Sequence, residues 1–303
     1  MSYYCSDCPR KCSALRPDGI KGYGFCGCGD LISVARVMRH KWEEPVLCGD
    51  TFTDNIFLCG CNLQCVYCQN FAITLPDSFP ERSLKTLSDE AFGKLLEDLC
   101  SSPGKTIGIV TGDHFIRQIA RAITPELKKK LTKPIVFNCS GYQTVESLEL
   151  LRDKTDIFMP DLKYCDSRLA ADYSNAPDYP KIAKEFILKA FDVAGPAVIG
   201  PDGIMQKGVI IRHLILPGDV GNTLAVIDFV NCNFRPGEIV FSLMSQYVPT
   251  GNDRTGRYPK LMRKVSKAEN KKASAYLSAC ENITLGYTQD ASSASDEFIP
   301  EFY

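Results

Sequence analysis

DNIFLCGCNLQCVYCQN, residues 54–70, opens on a short apolar run and breaks at once into a loop carrying Cys61, Cys65 and Cys68. A run of that length bounded by turn residues reads as a buried strand. The same pattern, a short apolar strand followed directly by a polar motif, recurs along the chain. The strands fall at 54–58, 106–111, 134–138, 156–159, 209–216 and 238–244. The motifs that follow them include TGDH (111–114), NCSG (138–141), PDLK (160–163), PGD (217–219) and SQY (245–247). Helical patterns lie between them, near 88–100, 113–130, 144–152, 178–193, 221–231 and 266–280, several opened by a capping Ser, Thr or Asp. Alternation of this kind builds βα units around a parallel sheet. Six units are too few for a closed eight-fold barrel, and motifs gathered at the C-terminal ends of strands are where barrels place active sites. The expected fold is therefore α/β, a partial (β/α)6 barrel of the TIM type spanning 51–284. A small Cys-rich, metal-binding extension (1–50) precedes it and a polar tail (285–303) follows.

The chain has 303 residues, 45% of them hydrophobic and 23% charged, enough apolar mass for a sizeable core. Thirty-five basic against thirty-six acidic residues give a net charge of −1, which argues against nucleic acid as a partner. No stretch approaches the ~18 apolar residues of a membrane span, and the first residues lack the regions of a secretion signal. A cytosolic monomer without membrane partners is expected. Fifteen cysteines are the unusual count. An odd number at short spacings in such a chain points to metal rather than to disulfides.

Two sets stand out. Cys61, Cys65 and Cys68 form C-x3-C-x2-C. A cubane iron–sulfur cluster normally takes four thiolates, so three leave one iron open to substrate or cofactor, and Tyr67 would lie against whatever binds there. The alternative is a structural zinc knuckle with Cys59 as fourth ligand. The second set, Cys5, Cys8, Cys12 and Cys26, suits zinc, a rubredoxin-like iron or a fully ligated second cluster, with Cys28 as an alternative fourth ligand.

The motif at 60–70 resembles the signature of the radical S-adenosylmethionine (SAM) superfamily. The likeness extends through CPRKC (8–12), WEEP (42–45), NCSGY (138–142), MPDLKY (159–164), APDYP (176–180), RHLILPG (212–218) and MSQY (244–247). This set resembles the family called pyruvate formate-lyase-activating-enzyme-like. The resemblance implies a [4Fe–4S] cluster on Cys61, Cys65 and Cys68 that binds SAM, and reductive cleavage of SAM to a radical that abstracts hydrogen. It also implies a one-electron donor such as flavodoxin or ferredoxin. The substrate would be a glycyl radical enzyme or, alternatively, a small molecule or peptide; a non-catalytic metal-binding module is the reading from another class.

Carried over residue by residue, Thr111, Gly112 and Asp113 stand where the superfamily grips the methionine amino group, with capping of the next helix as the plainer role of Asp113. In activases an Asp-Thr pair and a Met-x-Asp-x-Lys motif hold a monovalent cation and contact SAM. Here Asp161 and Lys163 match the second half, while Asn138 replaces a carboxylate and puts the cation in doubt. Arg212, alone on a Val/Ile/Leu strand, suits either the SAM carboxylate or a barrel carboxylate. Ser140 and Tyr247 complete the SAM-pocket candidates.

Overall fold

The computed structural model describes residues 2–74, 85–250 and 253–289. A small antiparallel hairpin, β1 (Tyr3–Cys5) and β2 (Ala14–Arg16), starts the chain. The main sheet holds β3 (Ile32–His40), β4 (Thr53–Leu58), β5 (Lys85–Leu87), β6 (Thr106–Val110), β7 (Ile135–Cys139) and β8 (Ile157–Pro160). It continues with β9 (Val198–Ile199), β10 (Met205–Leu214), β11 (Val240–Met244) and β12 (Gly286–Thr288). The order is β12-β11-β10-β8-β7-β6-β4-β3-β5, with β9 beside β10, and all neighbours from β4 to β12 in this order run parallel. The sheet is that of a partial TIM-type barrel, and all six expected strands are in it.

Because side chains alternate across a strand, the two faces separate cleanly. Ile107, Ile109, Ile135, Phe137, Phe158 and Phe241 pack outward into the large core shared with the helices. Val136, Ile157, Met159, Ile210 and Val240 face inward and form a second apolar cluster with Val46 and Leu47 of the short helix Pro45–Cys48. That helix plugs the barrel floor, fastened by the Thr106 hydroxyl donating to the Leu47 carbonyl at 3.0 Å.

Three features depart from the sequence reading. The chain does not divide at residue 50: β3 pairs antiparallel with β4 over six register positions and with β5 on its other side, and residues 45–48 fill the barrel. Its alternation was visible, but the surrounding Gly and Cys turns masked its place in the sheet. Residues 286–288, expected in the tail, add a parallel strand to β11; residues 290–303 of that tail lie outside the described residues. The helix expected at 113–130 is a 3-10 turn (Asp113–Phe115) and two helices, Ile116–Ala122 and Pro125–Lys130. Pro125 cannot donate a helix hydrogen bond, and Thr124 starts a new helix by capping Leu127 N–H. No described helix is long and apolar enough to cross a membrane.

Candidate active site

The strand register assembles the site. Phe57 aligns with Val110, Val110 with Asn138, Asp161 with Arg212, and Leu214 with Met244, so residues from six strand ends meet in one layer above the apolar floor. They line a cavity of about 210 Å³, together with Cys65, Tyr67, Cys68 and Lys163.

The loop after β4 wraps the three sulfurs. Gln64 adopts a left-handed conformation (φ 51°), and the chain is tied by Gly60 N–H to the Ile73 carbonyl and Val66 N–H to the Tyr173 carbonyl, both 2.8 Å. Each sulfur accepts hydrogen bonds: Cys61 from Leu63 N–H (3.3 Å) and Gln64 N–H (3.5 Å), Cys65 from Ser174 Oγ (3.0 Å), Cys68 from Thr74 Oγ1 (3.6 Å). Donors aimed at sulfur stabilise thiolate and tune a cluster it holds. Burial, then the neighbouring Cys65 and Cys68, pushes the Cys61 thiol well above its ordinary range. Cys59 is fully buried away from this cavity, with its thiol pushed up to about 12 by burial alone. That arrangement does not gather a four-cysteine knuckle on Cys59, whereas Cys65 and Cys68 on the cavity wall, with Cys61 beside them in the same loop, fit a cluster with one open iron. Among the described residues no group of three or more His, Cys, Asp or Glu closes on a single metal ion. A cubane distributes its thiolates over different irons, so that spacing is compatible with it.

Charged groups opposite the sulfurs form one network. Lys163 Nζ meets Asp161 at 2.6 Å; burial would discharge this lysine, but Asp161 and the sulfurs of Cys65 and Cys68 hold its pKa above the usual range. Arg212 donates through Nε to Asp161 (3.2 Å) and through Nη2 to Asn138 Oδ1 (2.7 Å), and its Nη1 lies 3.7 Å from Glu43. Burial acts against the Asp161 charge, but Lys163 and Arg212 win and hold the carboxyl below its ordinary pKa. The guanidinium thus spans the two side chains, Asn138 and Asp161, between which the activase resemblance implies a monovalent cation. Arg212 has the barrel carboxylate that its lone position on the strand called for.

Tyr67 is held by edge-on contacts with Tyr164, Tyr173 and Tyr247 at centroid distances of 6.4, 6.0 and 6.2 Å, and its hydroxyl accepts from Tyr164 at 2.8 Å. Tyr247 itself does not line the cavity: it is fully buried and donates to the Leu261 carbonyl at 2.7 Å. Thr111, Gly112, Asp113 and Ser140 also lie outside the cavity wall. The Asp113 carboxylate is engaged by Ser140, through N–H at 3.1 Å and Oγ at 2.7 Å, and burial raises it to about 6 against those bonds. Thr111 adopts φ 62°, an uncommon conformation for a β-branched residue. His114, beside them, is buried rather than on an open helix face; its Nε2 donates to the Cys59 carbonyl at 2.7 Å.

His40, Glu43, Gln69, Asn70 and Gln246 were not singled out from sequence and line the cavity. Glu43 stands in the WEEP motif (42–45) just after β3, and its place on the cavity wall depends on the pairing of β3 with β4.

The sequence profile of the radical SAM superfamily matches residues 55–228. Over 276 residues the chain is 27% identical to Uncharacterized protein MJ0674 of Methanocaldococcus jannaschii, a match covering 89% of this chain and 72% of that protein. Among solved structures, Streptococcus suis SuiB bound to S-adenosylmethionine aligns with a TM-score of 0.49 and 15% identity, covering 76% of this chain and 48% of SuiB, so this chain spans about half of SuiB. QueE from Escherichia coli aligns with a TM-score of 0.45 and 11% identity, covering 86% of this chain and 94% of QueE. A domain of pyruvate-formate lyase-activating enzyme from Bacteroides vulgatus aligns with a TM-score of 0.38 and 13% identity, covering 58% of this chain and 89% of that domain.

Proposed function

The chain belongs to the radical SAM superfamily, and from that premise we propose that it binds a [4Fe–4S] cluster and SAM in the strand-end cavity and abstracts hydrogen from a small molecule or short peptide. When bound, the reduced cluster and SAM supply one-electron cleavage of the sulfonium, yielding methionine and a 5′-deoxyadenosyl radical that takes the substrate's hydrogen. The observation that carries the reading is the meeting of Cys65 and Cys68 with Lys163, Asp161 and Arg212 in one cavity. Cys61, Cys65 and Cys68 are the ligands. Lys163 offsets the thiolate charge, and with Arg212 it offers a carboxylate a cationic wall. Gln69, Asn70 and Gln246 supply neutral polar groups around it, and Tyr67 presents a fixed aromatic surface.

A small substrate is preferred over the backbone glycine of a glycyl radical enzyme on the size of the cavity, about 210 Å³, whose wall His40 and Glu43, from β3 and the turn after it, help to form. A flavodoxin or ferredoxin would deliver the electron.

The test is anaerobic. The protein is reconstituted with iron and sulfide and reduced with and without SAM, alongside the Cys61/Cys65/Cys68→Ala variant, and electron paramagnetic resonance and 5′-deoxyadenosine are measured. A [4Fe–4S]⁺ signal that shifts with SAM, and deoxyadenosine only from the unaltered protein, is the expected result. Absence of both would overturn the reading. Deoxyadenosine formation that rises only with a glycyl radical enzyme present would replace the small-substrate reading with activation.

A further inference from the structure

Behind the cluster loop lies a second, much smaller cavity of about 20 Å³, lined by Cys5, Cys8, Cys12 and Cys26 together with Arg16 and His114. We propose that these four cysteines form a closed, single-ion site for a divalent metal, zinc or ferrous iron, that fastens the N-terminal loops onto the cluster loop.

Cys5, Cys8 and Cys12 stand within eight residues and Cys26 follows fourteen residues later, and separate turns bring them together. Lys11 (φ 41°) and Ser13 (φ 46°) take left-handed conformations around Cys12, and Lys11 N–H bonds back to the Cys8 carbonyl at 3.0 Å. Cys12 Sγ packs against the Gly24 turn, where an added Cβ would come within 3.0 Å of it. The choice of Cys26 over Cys28 follows from contacts. Cys28 is fully buried outside this cavity and donates to the carbonyls of Cys26 (3.4 Å) and Cys59 (3.3 Å).

Two independent features point to an occupant. Arg16 is 1% exposed, donates Nε to the Gly29 carbonyl (3.0 Å) and Nη1 to the His114 carbonyl, and leaves Nη2 without a partner. His114 leaves Nδ1 without a partner. A buried guanidinium with an idle donor is costly. On metal binding the four thiols release their protons to solvent, and four thiolates around a divalent ion carry a net charge of −2, which Arg16 partly offsets. The cavity, about 20 Å³, has room for one ion. The sulfurs surround it without converging, since among the described residues no metal-ready group of three is present. Binding therefore draws the loop inward.

The site abuts the first one. Asn62, next to Cys61, lines the same cavity, and Arg10 donates Nε to the Asn62 carbonyl (2.7 Å) and Nη2 to the Ser174 carbonyl (2.8 Å). Ser174 in turn donates to Cys65 Sγ.

The experiment uses the full chain carrying Cys61/Cys65/Cys68→Ala, so that failure of the cluster reading does not affect it. Metal and acid-labile sulfide are measured after growth with zinc and iron. One zinc or iron per chain without sulfide is expected, lost on adding Cys8→Ser and Cys26→Ser. No bound metal, sulfide accompanying several irons, or metal retained by the Ser variant would each overturn the site. The unaltered protein gives a readout independent of any variant. Cys12 and Cys232 are both exposed, so peptide-resolved alkylation should run about tenfold or more slower at Cys12 until a chelator removes the metal. Equal rates before chelation refute the proposal.

Discussion

At the scale of single residues, the site depends on buried charges that compensate one another. Arg212 answers Asp161 and Asn138 and approaches Glu43. Its replacement by Met leaves Asp161 with Lys163 alone and takes the guanidinium away from Glu43, so Arg212→Met should lose about 3–5 kcal/mol of stability in urea unfolding; a loss under about 1 kcal/mol would show the network to be slack. Because its guanidinium bridges Asn138 and Asp161, exchanging Na⁺ for K⁺ or tetramethylammonium should alter SAM affinity by no more than about twofold. A strict requirement for one ion in a titration of SAM binding would contradict that. Glu44 is pushed up to about 7 by burial, against the pull of Arg212 and with the push of Glu43. A raised carboxyl pKa contributes stability that is present below its ordinary value of 4.5 and lost as pH rises through about 7. Glu44→Gln stays neutral, so it should exceed the unaltered protein at pH 8 by at least about 1.4 kcal/mol, one pKa unit, with the gap closing towards pH 4.5. A gap independent of pH in urea midpoints would count against it. Most of this layer was legible in the sequence, because Lys163, Asp161, Asn138 and Arg212 sit in motifs at strand ends. Glu43 and His40 were not, because they reach the cavity from a strand whose partner is set by tertiary pairing. Tyr247 sits at a strand end too, but its ring turns into the aromatic cluster under Tyr67, a choice that packing makes and spacing does not reveal.

At the scale of elements, Gly60 is where two loops touch. Its φ is +84°, and an added Cβ would lie 2.3 Å from Cys28 Sγ and 2.8 Å from the Cys26 carbonyl. Gly60→Ala combines left-handed strain of about 1–2 kcal/mol with overpacking of about 1–3 kcal/mol, so a loss of about 2–5 kcal/mol is expected in urea, with faster hydrogen exchange across residues 22–29. Unchanged exchange there would mean that the two loops are not coupled. β3 matters in the same way. Removing residues 1–50 strips β4 of a neighbour and unplugs Val46 and Leu47 from the barrel floor, so the remainder should aggregate; a soluble fragment with a cooperative unfolding transition would show β3 to be dispensable. The strands that sequence located are the parallel, doubly covered ones, whose apolar runs are continuous. Those it misplaced lie towards the two ends of the sheet: β3, paired antiparallel on both sides, lies among turn residues, and β12 is an edge strand of three residues, so their places are set by tertiary pairing.

At the scale of the molecule, the partial barrel gathers its cofactor-facing groups from the loop after β4 through β11, so ligand binding should be read by the whole fold. SAM at about 100 times its Kd should stabilise the cluster-loaded protein by about 2.7 kcal/mol, seen as a rise in the thermal midpoint that Cys61/Cys65/Cys68→Ala lacks. An equal rise in both proteins would mean that SAM binds without the cluster. The order of the parallel strands carries a further consequence. From β4 to β12 each strand pairs with the preceding parallel strand in the chain, so the sheet can be laid down in sequence as the polypeptide leaves the ribosome. The three cysteines at 61–68 emerge early, and Arg212 emerges about 150 residues later. During synthesis the cavity wall stays open on the side that Arg212 will close, so the three sulfurs are accessible for a period that the finished fold ends.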